Sequence, residues 1–371
     1  MSTPPQTPVR TGRAGLGAAL AAALGLLGSA SCGDGSTQSG ALGGLTPQTL
    51  VAMVDLLQTA PFTTAHEGVR RVERRYEVLG TPTVLVYTER IVTDGQGNYA
   101  IDPLSADSPV PTGFLTLQKS REGYFYLYRD FLVRDADLFL DNYQITDMGP
   151  DGEGLTVFVA GRECRQFEAR RTGSDGHVYT AAFDLATGIV LSYSEHDAQG
   201  SLLSSMTYES FDETPDLGSV VFHQPDNLRK LIDMQLDVPR QLGFAPRVPT
   251  WEPPGYERVR ESRIVDLLGE PWLELAYTDG VETLFFLHTA VAEGTTLPKP
   301  VEKGLLGVSK PQVTVGDASS PEGSTSPSGE VYTIEIGPLS VVQGVVAGRQ
   351  VIALGKVPTE DLLEMIESAL N

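Results

Sequence analysis

Residues 155–211 read LTVFVAGRECRQFEARRTGSDGHVYTAAFDLATGIVLSYSEHDAQGSLLSSMTYESF. Apolar residues run together or alternate at period two across 155–170, 177–184, 189–195 and 201–211. That period marks strands, because successive side chains point to opposite faces. The breaks Ala186-Thr187-Gly188 and Ala198-Gln199-Gly200 are short and carry glycine, as antiparallel hairpins require. The segment predicts a meander of antiparallel strands.

The same texture extends toward the N-terminus, over 67–79, 82–92, 97–104, 113–119 and 123–132, with a further turn at Asp94-Gly95-Gln96-Gly97. Ahead of it, Thr46-Pro47 fits a helix cap followed by proline at the first helical position. Leu50, Met53, Val54 and Leu57 then recur at helical spacing up to Ala60-Pro61. Residues 45–215 thus predict one large antiparallel sheet with a helix or two packed on it. Several strands are apolar on both faces: Val84-Leu85-Val86-Tyr87, Tyr124-Phe125-Tyr126-Leu127-Tyr128 and Val157-Phe158-Val159. Such a sheet must be covered on both sides. Two readings follow, a core filled by the chain's own side chains or an apolar groove for an acyl chain. One face of Val84, Val86, Tyr124, Tyr126, Tyr128 and Phe158 is the candidate lining of that groove. Arg70, Arg71, Arg74 and Arg75 are expected to pair with nearby glutamates.

A second, smaller α+β domain is expected over 216–371. A short amphipathic helix is predicted from Asn227 to Gln235, followed by a proline-rich passage through Pro253-Pro254-Gly255-Tyr256. Strands follow at 256–266 and 271–277, and Asp279-Gly280 makes a tight turn into 281–290. Residues 294–330 are rich in proline, serine, glycine and threonine and read as a mobile loop. Strands return at 331–336, 340–346 and 349–355. A last helix begins near Thr359, with Glu360 and Asp361 favourably placed in its first turn.

The N-terminus has the layout of an export signal. Arg10 and Arg13 precede the uncharged apolar run 14–28, and Ser29-Ala30-Ser31 leads into Cys32. The run is shorter than the roughly 18–20 residues needed to span a bilayer. Small residues before a cysteine also resemble a lipoprotein signal, with Cys32 as the acylated residue; ordinary signal peptidase would cut the same bond. Residues 1–31 are therefore read as a signal peptide and 32–44, rich in glycine and serine, as a flexible tether. Cys164 is then left alone and reads as a small buried hydrophobe.

The net charge of −21 makes the chain a poor ligand for nucleic acid, whose binding needs clustered lysine and arginine. His66, His177, His196, His223 and His288 are scattered with no metal-binding spacing, and no nucleophile motif or phosphate-cradling loop occurs. Asp135, Asp137 and Asp141 lack the glycine and closing glutamate of a calcium loop and read as a solvated strand or loop face. No cofactor and no metal is expected, and the chain is read as a non-enzyme.

Val159-Ala160-Gly161-Arg162, the run Ala182 to Gly188, Leu191-Ser192 and the hairpin Asp197 to Leu202 together resemble the N-terminal domain of the MucB/RseB family. Pro254-Gly255-Tyr256, Tyr277-Thr278-Asp279-Gly280, Val345 to Gly348, Val351 to Gly355 and Val357-Pro358-Thr359 resemble that family's C-terminal domain. The resemblance implies an α+β fold, a LolA-like half-barrel sheet with packed helices followed by the smaller domain. It also implies a periplasmic regulator of sigma-factor signalling that binds the extracytoplasmic segment of a membrane anti-sigma factor and senses lipid or lipoprotein. Tyr277, Asp279 and Gly280 become candidate partner-binding residues. The alternative is a lipid or lipoprotein carrier of LolA/LolB type.

The order of residues 1–31 makes one direct prediction. Mass spectrometry of the mature chain is expected to find Cys32 as the first residue, with its thiol acylated; a free Cys32 thiol would leave the chain without this anchor.

Overall fold

The computed structural model describes residues 46–78, 81–106, 130–149, 155–173, 177–222, 232–267, 270–291, 310–315, 329–336 and 339–370. The leader, Cys32, the tether and Tyr124, Tyr126 and Tyr128 lie outside them.

Helix α1 (Pro47–Thr63) starts where the sequence predicts, with the Thr46 hydroxyl accepting from the Thr49 amide. It buries Leu50, Met53, Val54, Leu57 and Ala60 against the first sheet. That sheet has the order β3-β2-β1-β9-β8-β7-β6-β4 and every pairing is antiparallel. Its strands are β1 (Ala65–Val78), β2 (Thr81–Asp94), β3 (Tyr99–Ala106), β4 (Tyr143–Asp147), β5 (Leu155–Val159), β6 (Arg162–Arg171), β7 (Val178–Asp184), β8 (Val190–His196) and β9 (Leu202–Asp212). Strands β4 and β5 share one edge of β6 end to end, against Phe167–Arg171 and Arg162–Gln166 respectively.

The run 155–170, read as one strand, is a hairpin. Ala160 (φ 50°) and Gly161 (φ 76°) both take left-handed backbone, the pair of angles that a two-residue turn matched to strand twist requires. The acidic group at 135–141 is not a strand or loop face. Asp135 caps a short helix α2 (Ala136–Asn142), its carboxylate accepting from the Leu138 amide at 3.0 Å.

The second sheet runs β10-β11-β12-β16-β15-β14-β13, again antiparallel. It consists of β10 (Glu257–Leu267), β11 (Glu270–Thr278), β12 (Thr283–Ala290), β13 (Lys310–Val315), β14 (Gly329–Ile336), β15 (Leu339–Val346) and β16 (Arg349–Gly355). Helix α3 (Met234–Leu242) contributes Val238 to its core, and α4 (Thr359–Leu370) contributes Leu362, Met365, Ile366 and Ala369. Most of the helix read at Asn227 to Gln235 lies outside the described residues, and α3 is described from Met234. Asp233 caps it through the Gln235 and Leu236 amides, and the helix continues through Pro239 to Gly243, which has φ 73°. The fold class is as expected: α+β, with a large open antiparallel sheet and four helices among the described residues.

One expectation needs correction. Residues 310–315 (KPQVTV) fall inside the stretch read as a mobile loop, yet they form β13 and pair with β14, Val313 opposite the fully buried Val331. Valines at alternating positions supply strand character that the surrounding composition hides. Deletion of 310–315 is expected to lower the thermal midpoint by ~2–4 °C, as a loss of about 1 kcal/mol would in a chain of this class. A loop would leave the midpoint unchanged.

Candidate functional site

A small cleft, with room for little more than one water molecule, opens between the end of α1, the segment Asp130–Leu132 and the face of the first sheet toward α1. Pro61, Phe131, Leu132, Ile189, Val190 and Met206 give it apolar walls. Its floor is charged but internally balanced. Arg70, 2% exposed, lies 2.7 Å from Glu89 and 2.9 Å from Asp130, and Arg74 reaches Asp130 at 3.5 Å. Buried arginines need such partners, because an unpaired charge out of water costs several kcal/mol. The arginine-rich strand is thus paired, with aspartate as well as glutamate. His66 bridges the Tyr208 hydroxyl at 3.2 Å and the Thr93 hydroxyl at 3.0 Å, and burial lowers its pKa to about 4, so the ring is neutral near pH 7.

At a second place the two sheets meet. The turn Asp279–Glu282 between β11 and β12 is inserted against the first sheet's elements, and Val281 belongs to the first sheet's apolar core. The Arg134 amide donates to the Gly280 carbonyl at 2.7 Å, and the Arg134 guanidinium donates to the Val281 carbonyl. The Asn142 side-chain amide donates to the carbonyls of Gly255 (2.7 Å) and Asp279 (3.0 Å). The fully buried Asp279 carboxylate accepts from the Tyr143 hydroxyl at 3.0 Å and faces Arg171 at 3.3 Å. Burial raises its pKa and Arg171 opposes the rise.

Beside this turn, Lys356 meets Glu195 of β8 at 2.8 and 2.9 Å and Glu282 at 2.8 Å. Glu195 also accepts from the Ser204 hydroxyl at 2.8 Å and lies 3.2 Å from His177 Nδ1, while Tyr179 donates to Glu282. Burial alone would push the Glu195 carboxyl up. The Lys356 ammonium and the His177 contact outweigh it and hold the group well below the usual carboxylate range.

Of the residues singled out from sequence as a groove lining, Val84, Val86 and Phe158 fall elsewhere, and Tyr124, Tyr126 and Tyr128 lie outside the described residues. On β2 the parity is reversed: Leu85, Tyr87 and Ile91 are buried in the core, whereas Val84 is 43% exposed and Val86 half-buried on the opposite face. Phe158 is 75% exposed and points away from the core that holds Val157 and Val159. With both neighbours apolar, alternation alone did not fix which parity faces inward. Tyr277, Asp279 and Gly280 are buried too: Asp279 and Gly280 take part in the chain's own joint, and Tyr277 lies in the second sheet's apolar core. Cys164 is buried as expected, and burial pushes its thiol up to about 11. Among the described residues no cluster of histidine, cysteine or carboxylates is placed to hold a metal, and no helix is long and apolar enough to cross a membrane.

Gly280 has φ 104°, and a Cβ there would lie 2.4 Å from the Phe139 amide nitrogen, against backbone that cannot swing aside. Gly280→Ala is expected to cost about 2 kcal/mol or more, read as a lower urea midpoint with an unchanged slope. An unaltered midpoint would show that the two sheets do not depend on this turn.

No family model and no curated protein matches the chain. Among solved structures it is similar to the crystal structure of MucB in complex with MucA(peri), at 14% identity and TM-score 0.44, over 86% of this chain and 97% of that one. The complex structure of Pseudomonas aeruginosa MucA/MucB gives 14% and 0.42 over 86% and 97%, and the crystal structure of MucB alone gives 16% and 0.44 over 85% and 95%. The chain is thus similar to MucB along most of the length of both.

Proposed function

We propose that this chain is an extracytoplasmic, lipid-anchored regulator of envelope-stress signalling, a binding protein rather than an enzyme. Its second domain grips the extracytoplasmic segment of a membrane anti-sigma factor. An acyl chain of lipid or lipoprotein in the first domain's cleft weakens that grip. Support comes from the two ordered sets of motifs shared with the MucB/RseB family. The single structural observation behind the regulatory part is the buried joint, because it binds the backbone turn of one sheet to the same segment, Asp130–Asp135, that walls the cleft of the other. A carrier has no need to couple a cleft to a second domain. The chain's net charge of −21 favours a partner segment that is basic or apolar.

For such a switch the guest must distinguish two states, and a tenfold change in partner affinity needs about 1.4 kcal/mol of coupling. Cross-linking of the mature chain in its own membranes, followed by mass spectrometry, is expected to recover a single-span anti-sigma protein. Lysophospholipid is expected to cut that recovery about tenfold. Recovery of lipoproteins alone, or of a partner indifferent to lysophospholipid, would favour the carrier.

A further inference from the structure

We propose that Lys356 is a releasable bolt between the two sheets, one that holds the joint closed beside the Gly280 turn and that opens without unfolding either sheet. The residue lies between β16 and α4, in the second sheet's unit, and crosses to Glu195 of the first at 2.8 and 2.9 Å while keeping Glu282 at 2.8 Å. Each half of the bolt is fixed by its own side. Glu195 is held by Ser204 at 2.8 Å and by His177 at 3.2 Å, both from the first sheet. Glu282 is held through its amide, which donates to Asp279 Oδ1 at 2.7 Å within the second. Tyr179 adds a hydroxyl from the first sheet to both carboxylates.

The chemistry differs from that of the rest of the joint. At the turn, most bonds run to backbone carbonyls, and the one ion pair there, Asp279 with Arg171, has a single carboxylate for its cation. At the bolt, two carboxylates share one ammonium in a place with little water, so loss of the cation leaves like charges that regain solvation only by parting. Each sheet has its own apolar core, with Val281 reaching from the second into the first, so parting withdraws Val281 and does not require either sheet to unfold. The bolt also touches the cleft. The Phe131 ring, which lines it, lies 5.2 Å from the Tyr179 ring, so a guest that moves Phe131 presses on a hydroxyl that serves both carboxylates.

Hydrogen exchange on the full mature chain tests this, with unsubstituted protein, K356M and the triple variant E195Q/E282Q/K356M. In K356M, protection of amides 179–182 and 282–286 is expected to fall about tenfold while the core of α4 and β15 keeps its own. The triple variant, which has no charge left to separate, is expected to restore protection. Three results would overturn the proposal: unchanged protection in K356M, loss of protection throughout the chain, or a triple variant as open as K356M. None depends on the partner's identity, so the bolt and the signalling role stand or fall separately.

Discussion

A carboxylate shut away from water must be met by cations and donors, and Glu195 sets that demand at the centre of this molecule. It is 1% exposed, and its requirements are filled from His177, from Tyr179 of β7, from β9 and from the turn after β16 at once. Strands β7 to β9 must therefore keep their register for the second sheet to seat. The second sheet must in turn bring Lys356 to a fixed place. The same rule governs the cleft floor, where Arg70 and Arg74 are tolerable because Glu89 and Asp130 lie beside them. Buried ion pairs add little net stability against apolar replacements, but breaking one of their members is expensive. Their effect here is to make one arrangement of the two sheets much better than its neighbours.

Most strands were legible from alternation and glycine turns, because the meander is local and each hairpin announces its own ends. What escaped was short or distant. Helix α2 has seven residues, and its cap Asp135 was indistinguishable from a surface acid until its carboxylate was seen to meet the Leu138 amide. Strand β4 has only five residues and leans on β6 for definition. Strand β13 lay within a region whose average composition outweighed two alternating valines.

The site was less legible than the fold for a clear reason. Glu195 and Lys356 are 161 positions apart, and nothing in the neighbourhood of either marks it as half of a pair. Asp279 in an Asp-Gly turn looked like a surface residue, since such turns are usually solvated; here the turn is sheathed by α2, Arg134 and Arg171. The inward face of β2 turned on parity alone, where Val84-Leu85-Val86-Tyr87 offers two apolar faces and no polar residue to choose between them. Tertiary neighbours made each of these choices, and they are invisible to any window along the chain.

The end-to-end arrangement of β4 and β5 along β6 has a consequence for the protein in company with its own copies. A long, straight outermost strand offers a continuous row of unsatisfied amides and carbonyls on which another chain can grow a sheet. Here that rim is divided into two pieces of five residues each, meeting opposite Gln166 and Phe167. A foreign strand would have to change register partway along, so templated stacking finds no run long enough to propagate. Crowding of this chain at a surface therefore need not lead to fibres from this side.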